Sequence, residues 1–295
     1  MKKFNKKSII TALTVALAFA LGGSSHVFAA TSPTLIGSAS YSALGGAAVT
    51  CTGSTTTTGD VGVSPGSSLT GFPSPCVAGP PGTTHINDAS AIAAQADALS
   101  AFGVLDAAAN ADANCIGGIH TSGTDLTTLS PLVPGLYCSA GSFLLTGNLT
   151  LTGSSGVWVF KTVSTLITSP GSSVTGGDPC NIWWRIGSSA TLDTTTAFRG
   201  TIIAQNGVTA LNAGATLNGR VLALSAGTLT LNANVITGPV CAATTTTTTT
   251  TVVPTLPNTG LSPQHSSNNW WKVIAPAGIF ASLSLLYLAR KKRAI

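Results

Sequence analysis

A repeat running through the second half of the chain constrains its fold more than any other feature. Gly176, Gly200, Gly219 and Gly238 are spaced 24, 19 and 19 residues apart, and each closes a short run, at 172–175, 196–199, 215–218 and 234–237. A second set of runs lies at 157–161, 182–186, 201–205 and 220–224, and a third at 165–168, 190–193, 208–211 and 229–232. Three short strands per repeat, with Gly or Asn at the corners, describe one coil of a three-faced parallel β-solenoid. Equivalent strands then stack about 4.7–4.9 Å apart, and each coil covers its neighbour's edge. Gly and Asn suit the corners because tight bends often need positive φ. The alternative all-β arrangement, a β-sandwich, leaves the repeat unexplained.

The three faces differ in polarity. The set holding Trp158, Phe160, Trp183, Ile202, Ile203, Val221 and Leu222 is apolar on consecutive residues, so it must be covered on both sides. An Ala-rich segment at 88–113 supplies the cover, opening on Asn87 or Asp88 as N-cap. Ile92, Leu99, Phe102 and Leu105 form its apolar stripe. One long helix is therefore predicted along that face.

The two ends of the chain carry a different message. Lys2, Lys3, Lys6 and Lys7 precede an apolar run at 9–21, and Val27-Phe28-Ala29 offers small residues for cleavage, so 1–29 reads as a secretory signal peptide. At the far end, Leu256-Pro257-Asn258-Thr259-Gly260 is followed by a polar gap, an apolar run at 273–289 and Arg290-Lys291-Lys292-Arg293. This order resembles the cell-wall sorting signal of Gram-positive surface proteins. The resemblance implies a sortase-type transpeptidase that cleaves between Thr259 and Gly260 and joins the Thr259 carbonyl to an amine of peptidoglycan. The 17 residues of the apolar run are about the minimum for a membrane span. The basic tail would stay on the cytoplasmic side. The predicted organisation is then a signal peptide, a domain at 30–241, a Thr-rich spacer at 242–255, the sorting motif at 256–260, and a span and tail at 261–295 removed on anchoring. The spacer and the residues around it reach at most about 50 Å.

Removing both ends overturns the basic balance of the whole chain. The remaining part keeps Lys161, Arg185, Arg199 and Arg220 against eight Asp and no Glu, so its net charge is 4 − 8 = −4. The basic pI of the whole chain therefore describes sorting, and no nucleic-acid partner is predicted. Six Cys remain (Cys51, Cys76, Cys115, Cys138, Cys180 and Cys241), an even number in an exported chain, which favours disulfides. Proximity alone makes Cys115 with Cys138 the best single pair. No CxxC occurs and only His85 and His120 remain as imidazole ligands, so neither zinc nor another metal or cofactor is predicted. An enzyme is not predicted either: the Asp are scattered, and nucleophile elbow, phosphate loop and metal spacing are all missing. Asp60 in Gly-Asp-Val-Gly reads as a turn residue. Asn148-Leu149-Thr150 is a glycosylation sequon that a wall-sorted bacterial protein leaves idle.

Several segments in register resemble the signature segments of the ice-binding-like (DUF3494) family. They are Gly59-Asp60-Val61-Gly62-Val63-Ser64-Pro65-Gly66, Pro134-Gly135-Leu136-Tyr137, Val157-Trp158-Val159-Phe160, Trp183-Trp184-Arg185-Ile186-Gly187 and Leu217-Asn218-Gly219-Arg220-Val221-Leu222-Ala223. The resemblance spans roughly 35–240 and implies a right-handed, three-faced β-helix with one long helix alongside. It also implies N-terminal strands stacked beside the C-terminal coils, which would place Cys51 near Cys180 or Cys241. Ice crystals become the implied partner, although fold alone does not carry function.

An ice-binding surface must be flat, rigid and weakly charged, and Thr offers a hydroxyl and a methyl on a stiff side chain. The third strand set is the best candidate, with Thr165, Thr191, Thr209 and Thr230 in equivalent places and Thr228 two residues before Thr230. The register of 208–211 is ambiguous, and Ala210 could face outward in place of Thr209. The face bearing Thr175, Thr216 and Thr237 competes. The rival reading is a wall-anchored adhesin or structural surface protein holding a glycan, a protein or a mineral surface. Such a site should cluster aromatics on an exposed face, whereas Trp158 and Trp183-Trp184 fall on the set predicted to be buried and Phe143 and Phe198 are isolated.

Overall fold

The computed structural model describes residues 30–107, 110–121, 123–153, 155–224, 226–238 and Cys241. The predicted signal peptide, spacer, sorting motif and apolar run at 273–289 lie outside these residues. Among the described residues, no helix is long and apolar enough to cross a membrane.

The strands form the predicted three-faced solenoid, and every strand pairing is parallel. One face is an eight-stranded sheet in the order Thr124–Asp125, Phe143–Leu145, Leu166–Thr168, Ala190–Leu192, Val208–Leu211, Thr228–Asn232, Ala48–Thr52, Ser68–Thr70. The other two faces belong to one 14-stranded sheet, because Ala197–Ala204 and Thr216–Ala223 run unbroken round the corner between them. The bend sits at Gly200 and Gly219, which pair across adjacent coils. Both have positive φ, and a Cβ on Gly219 would lie 1.8 Å from the Gly200 carbonyl oxygen, so only glycine fits.

The N-terminal strands stack beside the last coil, as the family resemblance implied. Tyr41–Gly45 pairs with Thr216–Ala223, Ala48–Thr52 with Thr228–Asn232, and Thr56–Thr57 with Val235–Thr237. The chain thus builds one end of the solenoid first and crosses its length in the helix. It then returns coil by coil to meet its own beginning.

The helix spans Ala89–Val104, shorter than the predicted 88–113, and Asp88 is the N-cap, accepting from the Ala91 amide at 2.9 Å. Its buried face is Ala91, Ala94, Gln95, Ala98, Ala101 and Phe102, with Leu105 just beyond. The predicted stripe is therefore corrected in part: Phe102 and Leu105 are buried, but Ile92 and Leu99 are 52% and 54% exposed. The sheet beneath already raises Leu44, Val159, Trp183, Ile203 and Leu222 towards the helix, so close approach requires alanine on the facing side. Gln95 donates its amide to the carbonyls of Gly45 and Ala223, which fixes the helix against two strands. At the C-terminal end, Lys161 and Arg185 both bind Asp106, Lys161 also binds Asp112, and the Arg185 guanidinium lies 4.1 Å from the Phe102 ring centre.

Inside the coils, strand pairing sets Tyr137, Phe160 and Trp184 on consecutive strands. Their rings stack at 5.4 Å and 4.0 Å between centroids, and Phe198 packs against Trp184 at 4.7 Å. Phe143 and Phe198 are interior residues, so the isolation read from the sequence reflects burial.

The disulfides are Cys51–Cys76, Cys115–Cys138 and Cys180–Cys241. Cys115 with Cys138 agrees with the sequence reading. The implied neighbourhood of Cys51 with Cys180 or Cys241 is corrected. Cys51 points into the core from Ala48–Thr52, whereas Cys180 precedes Ile182–Ile186 at a different corner; Cys76 enters the strand Val77–Ala78 beside Cys51 instead.

The stacked core makes a direct prediction. Phe160 touches three other rings and is fully buried. Phe160→Ala should lower unfolding free energy by about 3–5 kcal/mol in urea titrations.

Candidate functional site

The eight-stranded sheet has one layer, so its strands alternate between core and solvent. Inward go Leu69, Val49 and Cys51, Leu229 and Leu231, Thr209 and Leu211, Ala190 and Leu192, Leu166 and Thr168, and Phe143 and Leu145. The residues between them point outward and fall into ranks across the strands. One rank reads Thr70, Thr50, Thr230, Ala210, Thr191, Ile167, Leu144, Asp125. The rank beside it reads Ser68, Ala48, Thr228, Val208, followed by Ser189, Thr165 and Ser142 on continuing the same register. Neighbours within a rank are about 4.7–4.9 Å apart, and the two ranks lie two residues apart along each strand.

This geometry sorts the five candidate threonines. Thr191 and Thr230 share one rank, and Thr165 and Thr228 share the other, so Thr165 is not equivalent to Thr191. Thr165 exchanges a hydrogen bond with the Ser142 hydroxyl at 2.7 Å. Thr209 is corrected outright: it is fully buried, its hydroxyl has no hydrogen-bond partner, and Ala210 takes the outward place. The inward Leu229 and Ala190 beside it in register force this alternation. Thr50 and Thr70 were missed because the register between the N-terminal strands and the last coil is long-range, with only the alternation in Ala48–Thr52 as a local signal.

Within the two ranks the only ionisable side chain is Asp125, at the far edge. Burial opposes its ionisation, but hydrogen bonds from the hydroxyls and amides of Thr146 and Thr127 prevail and hold its pKa below the usual carboxylate range. Beside the ranks, Asp193 is held low in the same sense by the Asn212 amide at 3.0 Å and the Thr194 N–H at 2.7 Å.

The competing face presents Thr175, Thr216 and Thr237 outward, but on continuing the register of Ser173 with Ala197 one of its ranks runs Thr150, Thr175, Arg199, Asn218, Thr237. Arg199 stands in the middle, donating to the carbonyls of Gly176 and Gly177 at 3.3 Å. A permanent charge in the rank binds its own water shell and breaks the regularity.

Two of the residues considered for chemistry, His85 and Asp60, are engaged elsewhere. His85 bonds Asp88 at 2.8 Å and Thr83 at 2.9 Å, and Asp60 accepts from the Thr83 amide. Asp112, Cys115 and Cys138 put ligand-type atoms within 4.8 Å of one another, but the two sulfurs are joined in a disulfide and cannot bind a metal as thiolates.

The inward placement of Thr209 is directly testable. Thr209→Val removes an unpartnered buried hydroxyl, so it should raise stability by about 1 kcal/mol in chemical denaturation. An outward Thr209 would give no gain.

Comparison with known proteins bears on the domain as a whole. The family model described as Ice-binding-like matches residues 43–237. An ice-binding protein of Nostoc sp. (strain HG1) is 38% identical over 245 residues, covering 80% of this chain and 84% of that protein. The crystal structure of an ice-binding protein from an Antarctic biological consortium superposes with a TM-score of 0.60 at 37% identity, over 71% of this chain and 92% of that one. That of an ice-binding protein from the Antarctic ascomycete Antarctomyces psychrotrophicus gives a TM-score of 0.61 at 34% identity, over 71% and 99%.

Proposed function

The chain belongs to the ice-binding-like family, and on that premise we propose that it is an exported, wall-anchored protein that binds ice through its threonine face. The observation that carries the choice of face is the pair of outward ranks, uncharged from Ser68 and Thr70 across to Leu144. Hydroxyl and methyl groups recur there at the strand spacing on a stiff support. Water can be held in a repeating array without the strong local orientation that a charge imposes. Each contact is weak, and binding needs many of them at once, so flatness matters more than any single residue.

Thr191 and Thr230 sit in one rank with Ala210 between them, so replacing either with Tyr raises a ring out of the plane and lifts the neighbouring coils off the lattice. The exported protein should slow ice recrystallisation and shape growing crystals. Thr191→Tyr and Thr230→Tyr should each abolish both effects while changing stability by no more than about 0.5 kcal/mol. An unaltered protein with no effect on ice at micromolar concentration would end the ice reading and leave the adhesin reading in its place. Loss of activity only on changing Thr216 or Thr237 would move the site to the competing face.

The wall-anchored part of the reading is supported by sequence alone, through Leu256-Pro257-Asn258-Thr259-Gly260 and the apolar run and basic tail behind it. Protein released from walls by muralytic digestion should end at Thr259 and carry peptidoglycan fragments in mass spectrometry. An intact tail at 290–293 in that fraction rules anchoring out.

A further inference from the structure

The chain holds two Asn-Gly pairs, Asn206–Gly207 and Asn218–Gly219, and the fold treats them differently. Asn218–Gly219 lies inside the strand Thr216–Ala223, where Asn218 pairs with Arg199 on one side and Thr237 on the other, and Gly219 pairs with Gly200. Asn206–Gly207 lies in the corner between Ala197–Ala204 and Val208–Leu211, and both residues are exposed. Among the described residues, neither the Asn206 side chain nor the Gly207 N–H has a hydrogen-bond partner. Other backbone groups hold the corner: the Asn206 N–H donates to the Ser188 carbonyl at 3.3 Å, and the Gly207 carbonyl accepts from the Thr228 N–H at 3.0 Å. Gly207 has φ 82°, and a Cβ there would lie 3.3 Å from the Ser189 Cβ.

We propose that Asn206 is a self-modification site: its side-chain amide is lost spontaneously, and the acid that replaces it charges the edge of the threonine face. The Gly207 amide nitrogen gives up its proton to water and attacks the Asn206 Cγ. The new N–Cγ bond closes a succinimide ring as the Cγ–Nδ2 bond breaks and ammonia leaves. Water then opens the ring at either carbonyl, leaving aspartate or isoaspartate at position 206. The step needs a side chain free to swing, an accessible amide nitrogen, and a following residue with no Cβ in the way. The corner supplies all of these, whereas at Asn218 the strand pairing must open first. The consequence for the face rests on the ice-binding reading. Position 206 stands two residues before Val208, which lies in one rank with Thr228. A carboxylate there orients its own water and competes with the array. Isoaspartate also adds a backbone methylene just ahead of Val208–Leu211, a strand paired on both sides.

The exported protein, held folded at mildly alkaline pH and sampled over time, tests this. Mass spectrometry with fragmentation should find acid accumulating at 206 while 218 keeps its amide. After reduction and unfolding, the two sites should convert at similar rates. Equal conversion in the folded protein, the same preference in the unfolded chain, or an amide that persists at 206 once the unfolded chain has converted overturns the proposal. Inhibition of ice recrystallisation should fall as the converted fraction rises. Asn206→Asp should be weaker from the start, and Asn206→Gln should hold its activity through the same incubation. Undiminished activity after full conversion at 206 overturns the link to the face. A fresh protein with no effect on ice ends the ice-binding reading instead, and the conversion at 206 is then judged by mass alone.

Discussion

In-register parallel pairing places each side chain beside the side chain at the same position one coil away, about 4.7–4.9 Å off. Every layer of the molecule follows from that adjacency. In the core it stacks Phe160 on Trp184 with ring planes 12° apart. At one corner it stacks Gly200 on Gly219, where any larger residue would collide with a carbonyl. On the outer surface it turns scattered threonines into ranks. A single outward residue means little in an isolated strand, but eight paired strands make it part of a plane.

A chain with so few charges must place them with care. Lys161 and Arg185 tie the sheet to Asp106 beyond the end of the helix, and Arg220 donates to the Ala39 carbonyl at 3.0 Å. Arg199 crosses a corner of the third face to reach two carbonyls. All four cations of the domain thus hold segments together, and none stands in the ranks of the threonine face. The same economy explains the alanine-rich helix. With Trp183 and its neighbours raised from the sheet, small side chains let the helix lie close, while Gln95 and Asp88 supply the polar contacts.

Much of the fold was legible because a solenoid writes its geometry as a repeat. The glycine spacing marked the corners, and the consecutive apolar residues from Trp158 to Phe160 marked the covered face. What could not be read was long-range. The helix stripe went wrong at Ile92 and Leu99 because hydrophobicity suggested large residues inward, whereas the available space admitted only alanine. The partner of Cys51 depended on which corner each cysteine reached, which spacing does not encode. Thr209 was misplaced by a register shift of one residue, and in a strand that shift exchanges the two faces. Thr50 and Thr70 were invisible for the opposite reason: their strands are read at the start of the chain and complete a surface built at its end.

That junction gives the threonine face an unequal character along its length. From Thr70 through Thr50, Thr230 and Thr191, the main rank is hydroxyl-bearing and interrupted only by Ala210. Beyond Thr191 it turns aliphatic at Ile167 and Leu144 and ends on the ionised Asp125. Ordered water needs partners that repeat and do not compete with the array, which favours the hydroxyl-rich part and disfavours the end beside the carboxylate. The favoured part is contributed jointly by the first strands and the last coil, and five residue pairs between Ala48–Thr52 and Thr228–Asn232 hold it flat. The Cys51–Cys76 bond secures the same strand from the core side, since Cys51 lies between outward Thr50 and Thr52. Closing the chain on its own beginning therefore does more than finish the stack: it brings Thr50 and Thr70 into one rank with Thr230 and extends the uncharged, hydroxyl-bearing part of this face.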